Sequence, residues 1–149
     1  MGGAEFTVDG VKYLVRIGLA AVKEYNDSTS TWDTITGTAL TGAVTDIISI
    51  ATPQLLGKPV LVFTNGKDAI RKYTGTGNVA VLGGSPPIAK YLLDYRGYLL
   101  TAYVTSGGAV YPHRVQWSAT GDPETWTGGN AGSIDLMEDG ELITAIRRL

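Results

Sequence analysis

The sequence predicts an all-β fold built from antiparallel four-stranded units of the β-propeller type, with about three units in the chain. Three observations lead to this prediction. The composition combines 20 glycines with only 17% charged residues, which is too glycine-rich for a helical bundle and too apolar for a disordered chain. The sequence repeats itself, and short β-rich segments alternate with turn residues along its length.

The internal repeat has an offset of 48 residues. With that shift, residues 11–18 lie over residues 59–66, and residues 21–25 lie over residues 69–73, without a gap. Gly18 then meets Gly66, and Tyr25 meets Tyr73. Repeats of about 40 to 50 residues that each hold four strands are typical of propeller blades.

A third copy is looser. Residues 98–104 correspond to the apolar run 60–63, and residues 114–118 correspond to residues 70–74, with extra residues in the loop between them. The expected units are therefore residues 5–42, 43–84 and 85–137, and a closing strand at 138–149 follows them.

The second copy illustrates the expected strands. Its residues 58–63 form a continuous apolar run, typical of a strand buried on both faces. Asn65-Gly66 predicts a tight hairpin turn. Residues 69–73 alternate apolar and basic side chains, which predicts a half-exposed strand. Further strands are expected at residues 46–52, 78–82, 88–93, 98–104, 114–118 and 133–136, and no helix is expected anywhere.

The two ends of the chain lead to a prediction about partners. The first unit begins near Val11, unless residues 5–8 supply its first strand. The closing strand exposes unpaired backbone groups that need a sheet edge, so we expect it to complete the first unit of the same chain or of a neighbouring copy. The residues of that strand are Leu142, Ile143, Ala145 and Ile146. Two chains of three units would give six, a common propeller size; the alternatives are a piece of a longer chain or an open sheet.

Composition excludes several classes of function. The net charge of -2 provides no basic surface for tight binding to nucleic acid. The chain has no cysteine, which excludes disulfides and thiolate metal sites. Residues 1–5 lack the pattern of a signal peptide, and no apolar run approaches the roughly 18 residues that span a bilayer. We expect no signal peptide, no membrane span and no nucleic-acid partner.

Residues that could carry out chemistry are few. His113 is the only histidine, and it precedes Ser118 by five positions, which places the two side chains on opposite faces of a strand. A loop or strand-edge position without catalytic function is therefore expected for His113. Asp135, Glu138, Asp139 and Glu141 lack the spacing of an EF-hand, so a solvated acidic turn is favoured over a weak calcium site. No phosphate-binding loop is present, and we expect no cofactor and no enzymatic activity.

Aromatic residues are the remaining candidates. Tryptophans in such repeats mostly pack between units, where they bury large areas. Trp126 is the expected exception because it follows a turn. We take Trp117, Trp126 and Arg114 as candidate residues for a ligand site or an interface.

Residues 112–126 read Pro-His-Arg-Val-Gln-Trp-Ser-Ala-Thr-Gly-Asp-Pro-Glu-Thr-Trp, and residues 132–136 read Gly-Ser-Ile-Asp-Leu. This pattern resembles a recurrent stretch of bacteriophage tail and neck structural proteins, and residues 63–68, 72–73 and 82–87 resemble the preceding part of the same proteins. The similarity covers roughly residues 11 to 146. It implies a propeller-like domain in a virion, which assembles with its own copies or with other virion proteins and has no catalytic function.

A second resemblance concerns residues 118–126, which are similar to the Asp-box turn of sialidase-type propellers. Here Asp122 follows Gly121, whereas the aspartate of that turn precedes its glycine. No arginine triad of the sialidase type is evident in the sequence. The alternative prediction is a carbohydrate-binding propeller, either a lectin or a receptor-binding module, with a glycan as its partner.

Overall fold

The structure is a computed structural model, which describes residues 1–136 and 142–148. Their secondary structure is entirely β, arranged in three four-stranded antiparallel sheets and one two-stranded hairpin. No helix occurs in the described ranges, so these residues contain no helix that could cross a membrane. The all-β prediction is confirmed.

The first sheet is a meander in which each strand pairs with the next one along the chain. Asp9 and Gly10, both with positive φ (50° and 81°), form the two-residue turn between its first two strands, and such turns match the twist of a hairpin. The strands are β1 (Gly2–Val8), β2 (Val11–Ile17), β3 (Val22–Asn26) and β4 (Thr31–Thr34).

The second sheet has the same strand order, with a small hairpin inserted after its first strand. Its strands are β5 (Ser49–Ala51), β8 (Leu61–Thr64), β9 (Arg71–Tyr73) and β10 (Ala80–Val81), and the inserted hairpin is β6 (Gln54–Leu55) with β7 (Lys58–Pro59). A shift of 48 residues carries β2, β3 and β4 onto β8, β9 and β10. The repeat found in the sequence is therefore a structural repeat.

The third sheet has longer strands in the same order. They are β11 (Ile88–Tyr95), β12 (Tyr98–Ser106), β13 (Ala109–Trp117) and β14 (Gly132–Asp135). A bulge interrupts the β12–β13 pairing between Ala102 and Val104, where Tyr103 has a φ of 56°. The extra residues of the third copy were expected in a loop, and this expectation is wrong, because they extend the strands. Only Gly107 and Gly108 separate β12 from β13.

Two hydrophobic cores hold the three sheets in succession. Leu61 and Phe63 of the second sheet pack in the core shared with the first sheet. Val60 and Val62 pack in the core shared with the third sheet. All four residues of β8 are buried, so the prediction of a strand buried on both faces is confirmed for residues 61–63. It is wrong for Lys58 and Pro59, which form the separate strand β7 of the inserted hairpin. The described residues form three successive sheets and no closed ring.

Two local predictions for the second sheet are wrong. The connection after β8 spans residues 65–70, where Gly66 has a positive φ and the Asn65 side-chain oxygen accepts hydrogen bonds from the amides of Lys67 and Asp68. This longer turn replaces the expected tight hairpin. Residues 69–73 are not half-exposed, because Arg71 is only 7% exposed. The second sheet lies between two others, so both of its faces are covered.

The prediction for the two ends is corrected in part. β1 pairs with β2 along its whole length, from Gly2–Ile17 to Val8–Val11, so the first sheet already has four strands of its own. Completion of that sheet by residues 138–149 of the same chain is therefore wrong. Residues 142–148 form no strand, and residues 138–141 and 149 lie outside the described ranges. The first sheet of a neighbouring copy has the same four strands and needs no further one, so only the association of this segment with another part of a neighbouring copy stays a prediction.

Candidate functional site

The turn that follows β13 is closed by hydrogen bonds within residues 118–126. The Asp122 carboxylate accepts hydrogen bonds from the Glu124 amide (2.9 Å) and from the Thr125 hydroxyl (2.7 Å). The Ala119 amide donates to the Thr125 carbonyl at 2.7 Å. Aspartate favours such turns because its side chain replaces a backbone acceptor. The turn therefore has one defined shape, which directs the residues after it toward the second sheet.

Trp126 is a core residue. It is 5% exposed and packs with Val62, Ile70 and Leu99 in the core between the second and third sheets. Its indole nitrogen donates to the Pro123 carbonyl at 2.8 Å, which satisfies the only polar atom of the ring. The expectation that Trp126 would be the exposed exception is wrong. The turn before it folds back and inserts the indole between the sheets.

Glu124 connects the same turn to the second sheet. One of its carboxylate oxygens accepts hydrogen bonds from the Lys72 ammonium (2.7 Å) and from the Gly83 amide (2.6 Å). A Cβ on Gly84 would lie 1.5 Å from the Glu124 carbonyl oxygen, and Gly84 has a φ of 72°. Only glycine allows so close an approach. Glu124 and Trp126 together join the third sheet to the second.

His113 and Ser118 do not form a catalytic pair in the structure. Ser118 is completely buried; its hydroxyl accepts a hydrogen bond from the Leu99 amide and donates one to the Ala119 carbonyl. His113 lies within β13, half-buried beside the bulge, and not in a loop as one form of the prediction had it. A serine nucleophile must reach its substrate, and this hydroxyl does not reach the surface.

Arg114 is held by an ion pair within its own sheet. Its Nε and a terminal nitrogen donate to the two carboxylate oxygens of Asp135 at 2.7 and 2.8 Å. The guanidinium also stacks 3.8 Å from the Tyr111 ring centre. The hydrogen bonds of this pair raise the pKa of Arg114 and lower the pKa of Asp135. Both groups stay charged, and the geometry orders the β13–β14 edge.

The structure does not bring the three candidate binding residues together. Trp117 pairs with Leu100 across the strands, whereas Arg114 points to the opposite face of the sheet. Trp126 lies inside the core between the second and third sheets. Trp117 is half-buried and donates its indole hydrogen to the Asn130 carbonyl at 2.9 Å. The three side chains therefore lie in three different surroundings.

No group of three or more metal-binding side chains occurs among the described residues. Of the acidic residues near the end of the chain, only Asp135 is described, and it pairs with Arg114. The predicted acidic turn at Glu138, Asp139 and Glu141 lies outside the described ranges.

A feature that sequence analysis missed is the outer face of the third sheet, which points away from the second sheet. We define this outer face by Leu93, Tyr95, Leu100, Trp117 and Ile134. These side chains are apolar, yet two of them are exposed to solvent: Tyr95 is 40% exposed and Ile134 is 53% exposed. The opposite face of the same strands is buried in the core shared with the second sheet. The signal was present in the alternating aromatic and aliphatic residues of β11.

Residues 142–148 of the chain cross this outer face. The Ile143 amide donates to the Pro112 carbonyl at 3.0 Å. Ile146, Arg147 and Arg148 line a cavity of about 560 Å³ together with Leu93, Tyr95, Arg96 and Leu100. We call this cavity the trough. Residues 142–148 therefore cover part of the outer face and leave the trough open between themselves and the sheet.

The outer face of the first sheet is also mixed in character. It carries the ion pair between Glu5 and Lys12 (3.1 Å), and the Arg16 guanidinium lies 4.7 Å from the Trp32 ring centre. Leu14, 43% exposed, lies on this same face as the partner of Glu5. Both outer faces therefore combine apolar side chains with charged ones, since arginines also line the trough.

Comparisons with known proteins provide no relative for this chain: no family model matches it, and neither do the curated proteins or the solved structures.

Proposed function

We propose that this chain is a non-enzymatic structural subunit of a bacteriophage virion, in the tail, neck or nozzle, and that it acts by protein–protein assembly. Its three sheets would be propeller-type units. The observation that carries the proposal is the use of the 118–126 turn, which resembles the phage proteins and whose side chains hold two sheets together.

Each polar group of that turn already has a partner in the protein. The Ser118 hydroxyl, the Asp122 carboxylate and the Glu124 carboxylate are hydrogen-bonded within the chain. The largest apolar side chain, that of Trp126, is buried. A binding or catalytic motif needs polar groups that remain available to a ligand. A motif whose groups are all paired internally favours a structural role.

The succession of sheets supports the propeller interpretation. Each sheet is a four-stranded meander, and each packs face to face on the next through one apolar core. This is the arrangement of adjacent propeller blades. The outer face of the third sheet has apolar residues where a further sheet would pack, and apolar patches of this kind mark protein interaction sites.

The alternative, a carbohydrate-binding propeller, has less support. Carbohydrate binding of this kind needs exposed aromatic rings on which a sugar can stack, and Trp126 is buried. Trp117 is half-buried and its indole hydrogen is already bonded to Asn130. Glycan-array screening of the intact chain, with Trp117→Ala as control, tests this alternative: a glycan whose binding depends on Trp117 would favour it over assembly.

The virion role is tested on purified phage particles from cells that carry the gene. Mass spectrometry should recover peptides of this chain in a constant ratio to the other tail and neck proteins. The genes on either side should encode tail or portal components. Recovery of the chain only in the particle-free fraction, beside genes unrelated to virions, would contradict the proposal.

A further inference from the structure

The trough on the outer face of the third sheet concentrates positive charge. Three of the residues that line it are arginines, Arg96, Arg147 and Arg148. They are half of the six arginines in a chain whose net charge is -2. Among the described residues, no acidic side chain lines the trough. A cleft lined by charges of one sign attracts ions of the opposite sign, so the trough favours an anionic occupant.

The three guanidinium groups are accessible to such an occupant. All three arginines are exposed, and none of them forms an ion pair with a described residue. Arg96 and Arg148 both lie beside the Tyr95 ring, 5.4 and 6.0 Å from its centre. Burial raises the pKa of Asp94, and the nearby Arg148 guanidinium opposes this rise, but the two groups do not pair. The positive charge therefore collects at the Tyr95 end of the trough.

The rest of the trough is apolar. Leu93 and Leu100 pair across β11 and β12 and form its sheet side, and Ile146 contributes from the crossing segment. The volume of about 560 Å³ has room for several apolar side chains. The apolar surface also continues past the trough to Ile134, which is 53% exposed. A matching occupant is therefore longer than a small molecule, apolar along most of its length and acidic at one end.

A protein segment fits these properties better than a nucleic acid does. Single-stranded nucleic acids bind by stacking their bases on exposed aromatic rings. The sheet side of the trough is aliphatic, and the Tyr95 ring already lies beside two guanidinium groups. The net charge of -2 also opposes the binding of a long polyanion.

We propose that the trough binds an extended segment of another protein, whose apolar side chains contact the two leucines and whose acidic residues pair with the three arginines. Guanidinium groups bind carboxylates through two parallel hydrogen bonds, and arginine and tyrosine are enriched in protein interfaces. The inference rests on the proposed assembly function and specifies the surface and the chemistry of the partner.

The first test measures the binding of labelled synthetic octapeptides to the intact chain by fluorescence anisotropy. The peptides alternate an apolar residue (Val, Leu, Ile or Phe) with threonine, and they begin or end in Glu-Glu. Matched controls carry Gln-Gln instead, or serine in place of the apolar residues. We expect the best acidic peptide to bind about ten-fold more tightly than either of its controls. Because the intact chain is used, its own carboxylates compete in every titration.

The second test removes charge from the trough. Arg96→Gln and Arg148→Gln alter exposed side chains, and each should weaken the binding of the acidic peptides by about three- to ten-fold without affecting the Gln-Gln peptides. Arg16→Gln is the matched control, because Arg16 is also exposed and lies 4.7 Å from the Trp32 ring centre, but on the first sheet. Raising the NaCl concentration from about 50 to about 500 mM should weaken only the acidic peptides.

No binding of any peptide, equal binding of the acidic and neutral peptides, or full binding by Arg96→Gln and Arg148→Gln would overturn the proposal. So would an oligonucleotide of deoxythymidine that binds more tightly than every peptide and is lost in the same variants. If the site fails in these assays and the chain is nevertheless recovered in phage particles, the proposed assembly function stands and only this site is wrong. Conversely, arginine-dependent peptide binding by a chain that is missing from phage particles would support the site and count against the virion role.

Discussion

Trp126→Ala should cause a large loss of stability, because the indole fills the core between the second and third sheets. Trp126 is 5% exposed, and its nitrogen is bonded to Pro123. Burial of about 150–250 Å² of aromatic surface at about 25 cal/mol per Å² corresponds to roughly 4–6 kcal/mol. Tryptophan-to-alanine changes in cores cost about 3–5 kcal/mol. We expect the free energy of unfolding to fall by about 4 kcal/mol.

Urea denaturation followed by far-ultraviolet circular dichroism measures this loss, as a shift of the midpoint at constant slope. Trp117→Ala is the matched control: its indole is half-buried on the outer face, and it should cost only about 1–2 kcal/mol. Trp126→Phe should lie between the two variants. A loss below about 1 kcal/mol for Trp126→Ala, or a loss equal to that of Trp117→Ala, would refute the structural role assigned to the turn.

The remaining predictions also concern contacts between sheets. Glu124→Gln keeps an acceptor for the Gly83 amide but loses the ion pair, and should cost about 1 kcal/mol in the same assay; Lys12→Gln, in an exposed pair, should cost almost nothing. Gly84→Ala should cost about 2–3 kcal/mol, and more than Gly77→Ala, which has positive φ but open space around it; equal losses would argue against the contact with Glu124. Burial, and then the hydrogen bond to Glu24, raises the pKa of Tyr73 above its ordinary value. The protonated Tyr73 hydroxyl therefore stabilises the fold below about pH 10, and this contribution to stability is lost as the pH rises further. Phenylalanine does not ionise, so the stability of Tyr73→Phe should fall less steeply at alkaline pH than that of the unmodified chain.

The contact of Tyr73 with the first sheet shows how a polar group enters these cores. Its hydroxyl donates to the Glu24 carboxylate, and its ring packs edge-on against Phe6 and Tyr13, with ring centres 6.0 and 6.3 Å apart. The first core is thus joined by aromatic packing and one paired carboxylate. The second core is joined by Trp126 and by Glu124, which is bonded to the second sheet.

The sequence by itself determined the repeat and the β character of this protein. The alternation of side chains along a strand and the preference of certain residues for turns both depend on local backbone geometry. The repeat with an offset of 48 residues is found by comparing the sequence with itself. These features predicted the strands of the third sheet and most of the buried strand β8 from residue patterns alone.

Only the tertiary structure decided where individual side chains lie. Trp126 follows a turn, which predicts exposure, yet the path of that turn inserts it between two sheets. Arg71 alternates with apolar neighbours, which predicts exposure, yet its sheet is covered on both faces. Burial depends on the layers above and below a strand, and these come from residues far away in the sequence. For the same reason, residue patterns alone did not predict that one face of the third sheet has no other sheet of the described residues packed on it.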